Sequence, residues 1–247
     1  MTPDVSIVVP VYNEAGQINR FLDRLLDAVP VSSEILVVYD APNDTTVPEL
    51  EAYALREPRL HPTLNTYGRG PAAAIRYGME HALANAVVVT MADESDDPKM
   101  IEPLTRLVEQ GAAVAAASRY SRGGRQVGGP LVKRTMSRLA GLSLFWLARV
   151  GTRDATNSFK AYSRPFLEEV GIHSSKGFEI GIELVAKARR LRRPVAELPT
   201  TWIDRSDGNS NFRIAAWLPS YLRWYFFAFG SALTPEEVRR KAAKVTG

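Results

Sequence analysis

The chain has 247 residues, a length that suits one α/β domain with at most a small appendage. Hydrophobic residues make up 45% and charged residues 23%, which is ordinary for a soluble globular protein. It contains no cysteine, which excludes thiol catalysis, disulfide bonds and thiolate metal sites. The formal net charge of +4 is compatible with anionic substrates or an anionic membrane face. The sequence contains no nucleic-acid-binding motif, so no nucleic-acid partner is expected.

The chain shows neither a leader nor a membrane span. Its amino terminus lacks the basic and apolar segment of a secretory signal. The two longest apolar runs are 139–150, which is too short to span a membrane, and 214–230, which carries Arg223 in its middle. We therefore expect a cytoplasmic protein.

Apolar runs with strand character alternate with stretches of helical spacing. The predicted strands are 5–9, 35–39, 86–91 and 112–117, and the predicted helices lie around 15–29, 69–84 and 98–110. Continuous apolar strands separated by helices indicate an α/β fold with a mainly parallel sheet covered on both faces. Ligands of such sheets bind at the carboxyl ends of the strands.

The first two predicted strands both end in polar turns. Pro10, Tyr12 and Glu14 follow the first strand, which places them at the expected ligand edge. Asp40 and Asp44 follow the second strand, where an aspartate is usually a turn former or a helix cap. Asp40 could also accept hydrogen bonds from a nucleobase or a ribose.

Residues 65–74 form a glycine-rich turn that opens a helix, and Pro71 suits the first helical position. The spacing of the glycines fits neither a dinucleotide fingerprint nor a P-loop. A plain helix start and a phosphate-binding turn both remain open for this segment.

The strongest chemical signal is a group of acids directly after the predicted strand 86–91. Asp93, Glu94, Asp96 and Asp97 lie within five residues, and such crowding is unfavourable unless a cation or water screens the charges. Mg²⁺ prefers oxygen ligands and often binds one or two carboxylates together with substrate phosphates. Asp97 precedes a proline and is accounted for as a helix N-cap, which leaves three acids for a divalent cation.

Cations and further acids follow in the second half of the chain. A turn-rich segment at 118–130, which we interpret as a loop within one domain, has Arg119 near its start and is followed by Lys133 and Ser137. Glu179 and Glu183 are four residues apart and therefore share one face of a helix. Each of these charged groups could also be an ordinary solvated or ion-paired side chain.

Taken in order over residues 4–212, these motifs resemble the family 2 glycosyltransferases of the GT-A fold, and in particular the dolichol-phosphate mannosyltransferase group. The resemblance rests on the opening strand with its Pro-x-Tyr-Asn-Glu end, the Asp-rich second turn, the acidic loop, the Ser-Arg-Tyr motif at 118–120, the Asp-x-Thr segment at 154–160 and the Glu-x-Pro strand at 197–199. It implies a Rossmann-like domain that transfers a sugar from a nucleotide donor.

On the donor side, the resemblance implies a nucleotide-sugar, GDP-mannose or UDP-glucose, bound with a divalent cation, Mg²⁺ or Mn²⁺. Asp93 matches the second acid of the family's Asp-x-Asp metal motif, Met91 replaces the first, and Ser95 falls where relatives carry another polar ligand. The metal ligands are therefore expected to be Asp93 and Ser95. The implied donor-binding residues are Pro10, Tyr12, Glu14, Asp40, Ala92 and Asp93.

On the acceptor side, the resemblance implies that Arg119, Lys133 and Ser137 hold the phosphate of a polyprenyl phosphate. Lys133 replaces the usual arginine, which keeps the charge and loses the bidentate geometry. Arg205 is implied as a clamp on the donor diphosphate. We therefore predict an inverting hexosyltransferase for mannose or glucose, whose catalytic residues are Asp93, Arg119, Lys133, Ser137 and Arg205.

Two alternatives stay open. An enzyme with a hydroxyl acceptor would need a general base, for which Glu179 or Glu183 is the candidate. A catalytically degenerate nucleotide-sugar-binding protein is the other alternative, because Tyr39, Met91 and Asn211 each replace a residue that is usual in the family.

The end of the chain differs from the rest. We predict a glycosyltransferase domain over 1–212 and an aromatic, amphipathic helical tail over 213–247. The aromatic residues at 214–229 could pack on the sheet, and the arginines at 189–193 could be solvated at a helix end. Alternatively, both groups lie on an anionic membrane, with the arginines at the headgroups. The expected location is peripheral, on the inner face of the membrane.

Overall fold

The computed structural model describes residues 2–29, 32–204 and 214–246, with all of their side chains except those of 133 and 214–216. The strands are β1 (Val5–Pro10), β2 (Ser33–Tyr39), β3 (Leu60–Leu64), β4 (Ala86–Val89), β5 (Val114–Ser118), β6 (Arg125–Val127), β7 (Lys160–Ser163), β8 (Val195–Pro199) and β9 (Thr201–Ile203). The helices are α1 (Ile18–Leu26), α2 (Val47–Ala54), α3 (Pro71–His81), α4 (Ile101–Glu109), α5 (Leu131–Ser143), α6 (Arg164–Val170), α7 (Ile180–Arg190), α8 (Ile214–Phe227) and α9 (Pro235–Thr246). A 3₁₀ turn at Pro98–Met100 precedes α4, and a π-helical segment at Leu144–Ala148 continues α5.

The central sheet has seven strands in the order β3-β2-β1-β4-β7-β5-β8. All neighbouring pairs are parallel except those of β7, which runs antiparallel to β4 and to β5. The fold predicted from the alternation of strands and helices is therefore confirmed as α/β with a mainly parallel sheet. Strands β6 and β9 pair separately as a small parallel ribbon.

Two core layers cover the two faces of this sheet. Along β1, Val8 packs with α3 and α7 on one face, whereas Ile7 and Val9 pack with α1 and α4 on the other. Because both faces are covered, every residue of β1 is buried, which explains why this strand is apolar except at Ser6, whose hydroxyl donates to Glu34. Helix α3 approaches β1 closely at Gly78, where an added Cβ would lie 2.4 Å from a methyl group of Val8.

The topology brings the ends of several strands to one edge. Strands β1, β2, β4, β5 and β8 all finish there, and the antiparallel β7 starts there, because Lys160 pairs with Val89 of β4 and with Ala116 of β5. The loops after these strands carry most of the polar residues named above. This is the edge at which ligands of open α/β sheets bind.

The predicted strands and helices that framed this edge are present within a few residues of their expected ends. The sequence prediction missed β3, β6, β7, β9, α2, α5 and α6, and β6 lies inside the segment 118–130 that was expected to be a loop. In β3 the sequence Leu-His-Pro-Thr-Leu contains Pro62, and the strand lies at the edge of the sheet, where a proline without an N–H group is tolerated.

Helices α8 and α9 pack on the same core as the sheet. Trp224 and Phe227 are 1% and 8% exposed, and both join the core layer that also contains Val238 and Ala242 of α9. The predicted division at residue 212 falls between the described segments. Among the described residues, no helix is both long enough and apolar enough to cross a membrane.

Candidate active site

The loops after β1 and β2 hold each other. The carboxylate of Asp44 accepts hydrogen bonds from the backbone N–H of Asn13, at 3.1 and 3.2 Å, and from the N–H and hydroxyl of Thr46, at 2.8 and 2.6 Å. The Thr46 hydroxyl in turn accepts from the N–H of Glu14 at 2.9 Å. Asp44 is therefore occupied in shaping the first loop, as expected for an aspartate in a turn.

This arrangement leaves the predicted donor residues of the first loop in different environments. Pro10 is buried as the last residue of β1, whereas Tyr12 is 64% exposed. The pKa of Glu14 is raised, first by burial and then by the nearby charges of Asp93 and Asp44. Three carboxylates from three loops therefore lie close together at the strand edge.

Asp40 anchors the glycine turn. Its two oxygens accept from Asn65 Nδ2 at 2.8 Å and from the N–H of Gly70 at 2.7 Å. Gly70 has φ of 110°, a value that side chains with a Cβ rarely adopt, and it is the N-cap of α3. The turn is thus fixed by Asp40, and the predicted contact of Asp40 with the donor remains a prediction.

The acidic loop after β4 gives each of its acids a different role. Asp93 is exposed, whereas Glu94 and Asp96 are 6% and 7% exposed. Glu94 pairs with Arg20 at 2.5 Å and has a left-handed backbone with φ of 58°. Asp97 accepts from the N–H of Lys99 at 3.2 Å, so the expected N-cap is confirmed.

Asp96 points into the protein. Its carboxylate accepts from the Thr90 hydroxyl at 3.1 Å and from the N–H of Met91 at 3.3 Å. Burial, and then the charge of Asp93, raises the pKa of Asp96 to about 7, while Arg119 acts in the opposite direction. The carboxylate of Asp96 therefore interacts with two opposite charges, those of Asp93 in the acidic loop and of Arg119 after β5.

Asp93 is the acid of this loop that can meet a ligand. Although Asp93 reaches the surface, the protein around its carboxylate reduces its hydration and so raises its pKa; hydrogen bonds from Ser95 oppose that rise, and the charge of Asp204 adds to it. The N–H of Ser95 donates to Asp93 Oδ1 at 3.0 Å, and the Ser95 side chain is 4% exposed. This geometry supports Ser95 as a residue that orients Asp93, and its predicted ligation of a metal remains a prediction. Ala92 is also buried, at 5% exposure.

The residues present fit a metal that shares its ligands with a substrate. Among the described side chains, no three acids or histidines lie close enough together to hold a metal ion alone. Asp93 offers an exposed carboxylate with Glu14 and Asp204 nearby, which is a hard oxygen donor set of the kind that Mg²⁺ and Mn²⁺ take. A cation there would reduce the mutual repulsion of these carboxylates.

Arg119 follows β5 and is held by a buried aspartate. Its Nε and Nη2 atoms donate to the two oxygens of Asp154, both at 2.8 Å, and its backbone N–H donates to the same carboxylate at 2.9 Å. Burial alone would raise the pKa of Asp154, but Arg119 and then Lys160 reverse the effect, so that the pKa is lowered. Asp154 is fully buried, and the Arg119 side chain is 10% exposed.

Three hydroxyl groups meet at this arginine. Arg119 Nη2 donates to Ser137 Oγ at 3.1 Å, and Ser137 Oγ also lies 3.2 Å from the Tyr120 hydroxyl and 2.6 Å from the Thr156 hydroxyl. No described residue accepts a hydrogen bond from Arg119 Nη1. We call Arg119, Tyr120, Ser137, Asp154 and Thr156 the arginine–hydroxyl cluster.

The structure therefore brings two of the three predicted acceptor residues into contact. Arg119 and Ser137 belong to one cluster, although 18 positions separate them. Lys133 lies in the first turn of α5, one helical turn before Ser137, but its side chain is outside the described part of the chain. Arg205 also lies outside the described residues.

Sequence reasoning did not identify Asp154, Thr156 and Lys160 as parts of the site. All three belong to the segment 154–160, which resembles a family motif. Lys160 is fully buried, and burial lowers its pKa to about 7 although Asp154 favours its charged form. The available signal was Asp154 and Lys160 among the apolar residues Ala155, Phe159 and Ala161, because charged residues in an apolar segment are buried mainly with partners.

Glu179 and Glu183, the two candidate bases, are both committed to loop structure. Glu179 is 1% exposed and accepts from the N–H groups of Lys176 and Gly177 at 3.0 and 2.7 Å. Glu183 accepts from the N–H groups of His173 and Ser174 and pairs with the buried Lys187. Burial alone would raise the pKa of Glu183, but these partners bring it to about 2. Neither carboxylate is placed to take a proton from an acceptor.

Comparison with known proteins identifies the family. Residues 6–171 match the family described as Glycosyl transferase family 2. The chain is 31% identical over 227 residues to polyprenol monophosphomannose synthase of Mycolicibacterium smegmatis, covering 85% of each chain. It is 30% identical over 212 residues to undecaprenyl-phosphate mannosyltransferase of Micrococcus luteus, covering 83% of this chain and 86% of that one.

Solved structures agree with the fold. The mannosyltransferase PcManGT of Pyrobaculum calidifontis, in complex with GDP-Man and Mn²⁺, matches with a TM-score of 0.62 and 20% identity, over 99% of this chain and 70% of that one. Glucosyl-3-phosphoglycerate synthase of Mycobacterium tuberculosis, in complex with Mn²⁺, UDP-glucose and phosphoglyceric acid, matches with a TM-score of 0.66 and 16% identity, over 92% of this chain and 80% of that one. The predicted GT-A fold is thus confirmed. With its mainly parallel sheet, its loops of clustered acids and its sequence relatives, the chain belongs to glycosyl transferase family 2.

Proposed function

We propose that this protein is an inverting hexosyltransferase that moves a sugar from a nucleoside diphosphate to the phosphate of a polyprenyl phosphate. The observation that carries the proposal is the arginine–hydroxyl cluster, in which a buried arginine keeps Nη1 unused beside three hydroxyl groups. The two sequence relatives named above carry polyprenol or undecaprenyl phosphate and mannose in their names, which supports mannose as the sugar and GDP-mannose as the donor. UDP-glucose remains the second donor to test.

The two parts of the site lie next to each other. Asp96 interacts electrostatically with Asp93 on one side and with Arg119 on the other. A donor diphosphate at Asp93 and an acceptor phosphate at Arg119 would therefore be neighbours, and each would carry negative charge. Two features would lower this repulsion. On the donor side, carboxylates would hold a cation, and on the acceptor side Arg119 would supply a positive charge.

The transfer step needs little help from a base. A phosphate monoester has a second pKa of about 6 and is already anionic near neutral pH. One of its oxygens attacks the anomeric carbon of the sugar, and the bond from that carbon to the donor diphosphate breaks with its electron pair leaving on the diphosphate. A divalent cation, when bound at Asp93 with the donor, would neutralise charge on that leaving group. The commitment of Glu179 and Glu183 to loop structure agrees with this chemistry.

The residues of the chain would act mainly by positioning. Asp154 fixes the plane of the Arg119 guanidinium through two hydrogen bonds, and the rings of Tyr120 and Trp202 lie 5.0 and 5.9 Å from its central carbon. Ser137 would donate to the acceptor phosphate from the side of α5. Lys133 would add a second positive charge, since it starts the same helix, and Arg205 is proposed as the clamp on the donor diphosphate.

The surface of α5 supports binding to an anionic membrane face. Leu131, Val132, Leu139, Trp146 and Leu147 are between 63% and 75% exposed along α5 and its π-helical continuation. Residues 131–148 include three cations and no acid. An exposed apolar stripe with basic neighbours is typical of helices that lie in a membrane interface. The phosphate of a lipid acceptor would then reach Ser137 from the same helix.

The carboxyl-terminal aromatics divide between the core and the surface. Trp224 and Phe227 face the core, whereas Leu222 and Phe226 of α8 are 43% and 67% exposed. The Tyr225 hydroxyl donates to Ser143 Oγ at 2.9 Å, which places α8 beside the end of α5. We therefore propose α5 as the main membrane surface and α8 as its neighbour. The location on the inner face of the membrane stays a prediction.

The function is tested with two matched acceptors. The purified protein is given GDP-mannose or UDP-glucose with Mn²⁺, together with a short-chain polyprenyl phosphate or with the corresponding polyprenol. We expect transfer to the phosphate alone. Equal transfer to the polyprenol would favour a hydroxyl acceptor, and donor binding without any turnover would favour a degenerate binding protein.

Membrane association is tested by flotation with liposomes. Wild-type protein should float with vesicles that contain phosphatidylglycerol at low salt and should float less at high salt, because salt screens the basic groups. Leu139→Glu/Leu147→Glu should abolish flotation while transfer to a water-soluble short-chain acceptor continues. Leu55→Glu/Leu83→Glu is the matched control, because both leucines are exposed on other elements. Normal flotation of the α5 variant would reject this surface.

A further inference from the structure

A second basic feature lies at the other edge of the sheet. A cavity of about 370 Å³ is lined by the arginines Arg149, Arg189, Arg192 and Arg193, and no acidic side chain lines it. Its wall includes Val195, the first residue of β8, whereas the candidate active site adjoins the opposite end of that strand. The cavity is therefore separate from the proposed donor and acceptor sites, and an inference from it does not depend on the proposed function.

The backbone at this cavity is unusual. Arg149 ends the π-helical segment with φ of 57°, and Arg192 follows α7 with φ of 55°. Left-handed backbone is unfavourable for residues with a Cβ, and helices that finish this way usually do so with glycine or asparagine. Both of these helix ends carry an arginine instead, and both arginines line the same cavity.

The partners of the four arginines divide them into two groups. Arg189 Nε donates to the carbonyl oxygen of Ala148 at 2.6 Å, and Arg193 Nε donates to Glu169 at 3.1 Å. Among the described residues, none forms a hydrogen bond or an ion pair with the side chains of Arg149 and Arg192. Favourable interaction with a helix carboxyl terminus explains Arg189. It does not explain two further unpaired arginines that converge on one cavity.

We propose that this cavity binds a phosphate group, either of a soluble phosphate compound or of an anionic lipid headgroup. Guanidinium groups bind phosphate oxygens in a bidentate manner, and an anion would relieve the repulsion among the four like charges. The volume is sufficient for a diphosphate or a headgroup. Trp146 and Leu147, just before Arg149, are 68% and 71% exposed, which favours a lipid as the source because these side chains could contact its acyl chains.

The test uses calorimetric titration of the full chain with inorganic pyrophosphate, with GDP and Mn²⁺ present to occupy the candidate donor site. Arg149→Gln/Arg192→Gln should weaken the remaining pyrophosphate binding at least about tenfold, since each charge-assisted contact typically changes affinity by that much. Arg56→Gln/Arg106→Gln is the charge-matched control, because both of these arginines are exposed and far along the chain from the cavity.

Two further measurements make the result interpretable. Arg149→Lys/Arg192→Lys keeps the charges and removes the forked geometry, so it should bind with intermediate affinity and covers the case in which the glutamine variant fails to fold. Flotation with phosphatidylglycerol vesicles identifies the source: a loss in the cavity variant that pyrophosphate reproduces by competition indicates a lipid headgroup, and unchanged flotation with lost pyrophosphate binding indicates a soluble phosphate compound. Pyrophosphate binding that is absent in the wild type, or equal in the wild type and the cavity variant, would overturn the proposal.

Discussion

The acidic loop and the arginine–hydroxyl cluster lie at the same edge of the sheet, but the chain builds them in opposite ways. Residues 93–97 are neighbours in sequence and separate in space, since one acid is exposed, one pairs with Arg20, one is buried and one caps a helix. Hydrogen bonds of the cluster join residues up to 35 positions apart. A dense sequence motif therefore separates into different structural roles, whereas residues dispersed along the chain form one hydrogen-bonded group.

The two regions also differ electrostatically. In the acidic loop, burial and like charges raise the pKa of Asp93 and Asp96, so the loop is poised for a cation. In the cluster, an opposite charge lowers the pKa of Asp154 and raises that of Arg119, so the pair is already balanced. We expect donor binding to depend on an added ion and acceptor binding to depend on a preformed arrangement.

The largest expected effect is on the donor side. Asp93→Asn should lower turnover by roughly a hundredfold to ten-thousandfold, because metal stabilisation of a leaving diphosphate amounts to several kcal/mol. The loss should come with weaker nucleoside diphosphate binding in the presence of Mn²⁺ and an unchanged melting temperature. Steady-state rates, calorimetry and thermal unfolding check these three points. Wild-type rates in the variant, or full activity in excess chelator, would show that Asp93 holds no metal.

The next effect concerns the stability of the cluster. Asp154→Asn should lower the free energy of unfolding by about 3–5 kcal/mol, because it leaves the buried Arg119 without its counter-charge. Asp154→Asn/Arg119→Met should recover part of this loss, since it removes the unpaired charge of Arg119 and leaves only the buried Lys160 without the charge of Asp154. Urea denaturation measures both variants. If the double variant is as unstable as the single one, the pair is not what stabilises the cluster.

The same pair predicts a pH dependence. Because the pKa of Asp154 is lowered in the folded protein, its ionised form contributes stability that is present above its ordinary pKa of 3.8 and is lost as the pH falls through the folded value. Wild type should therefore lose more stability than Asp154→Asn/Arg119→Met between neutral pH and pH values below 3.8. Parallel curves of unfolding free energy against pH would contradict this assignment.

A smaller effect separates the acceptor side from the donor side. Lys133→Ala should raise the acceptor KM or lower the transfer rate by roughly ten- to a hundredfold, as expected for one charge-assisted contact, and should barely change donor affinity. Lys133→Arg should be tolerated, because the guanidinium fork suits phosphate. Arg134→Ala is the control on the next position of α5. An equal loss of donor affinity in Lys133→Ala would place this lysine at the diphosphate, and an unchanged transfer rate would favour a hydroxyl acceptor.

The smallest effect is the internal control of the acidic loop. Asp97→Ala should lower the free energy of unfolding by about 1 kcal/mol through loss of the helix cap, with normal turnover and normal dependence on Mn²⁺. Chemical denaturation and steady-state assays distinguish it from Asp93→Asn. A large loss of activity in Asp97→Ala would mean that the acids act together as a metal site.

Much of the architecture was predictable because it depends on local patterns. The segments at 5–9, 35–39, 86–91 and 112–117 were recognisable as strands, since strands buried on both faces are apolar at most positions. The N-cap at Asp97 followed from the proline after it. The antiparallel β7 was not predictable, because four residues carry too weak a periodicity to show direction or position in a sheet.

The sequence by itself determined the α/β class, the edge at which the loops gather and many of the polar residues at that edge, but not Asp154, Thr156 and Lys160. Only the tertiary structure decided which of those residues keep a polar side-chain atom available for a ligand. Backbone N–H groups donate hydrogen bonds to the carboxylates of Asp44, Glu179 and Glu183, and Arg119 donates to the carboxylate of Asp154. The physical reason is that a buried carboxylate needs hydrogen-bond donors. Glu179 and Glu183 find them within ten residues, whereas the donors to Asp44 and Asp154 include groups more than thirty positions away, which meet these carboxylates only when the sheet is assembled.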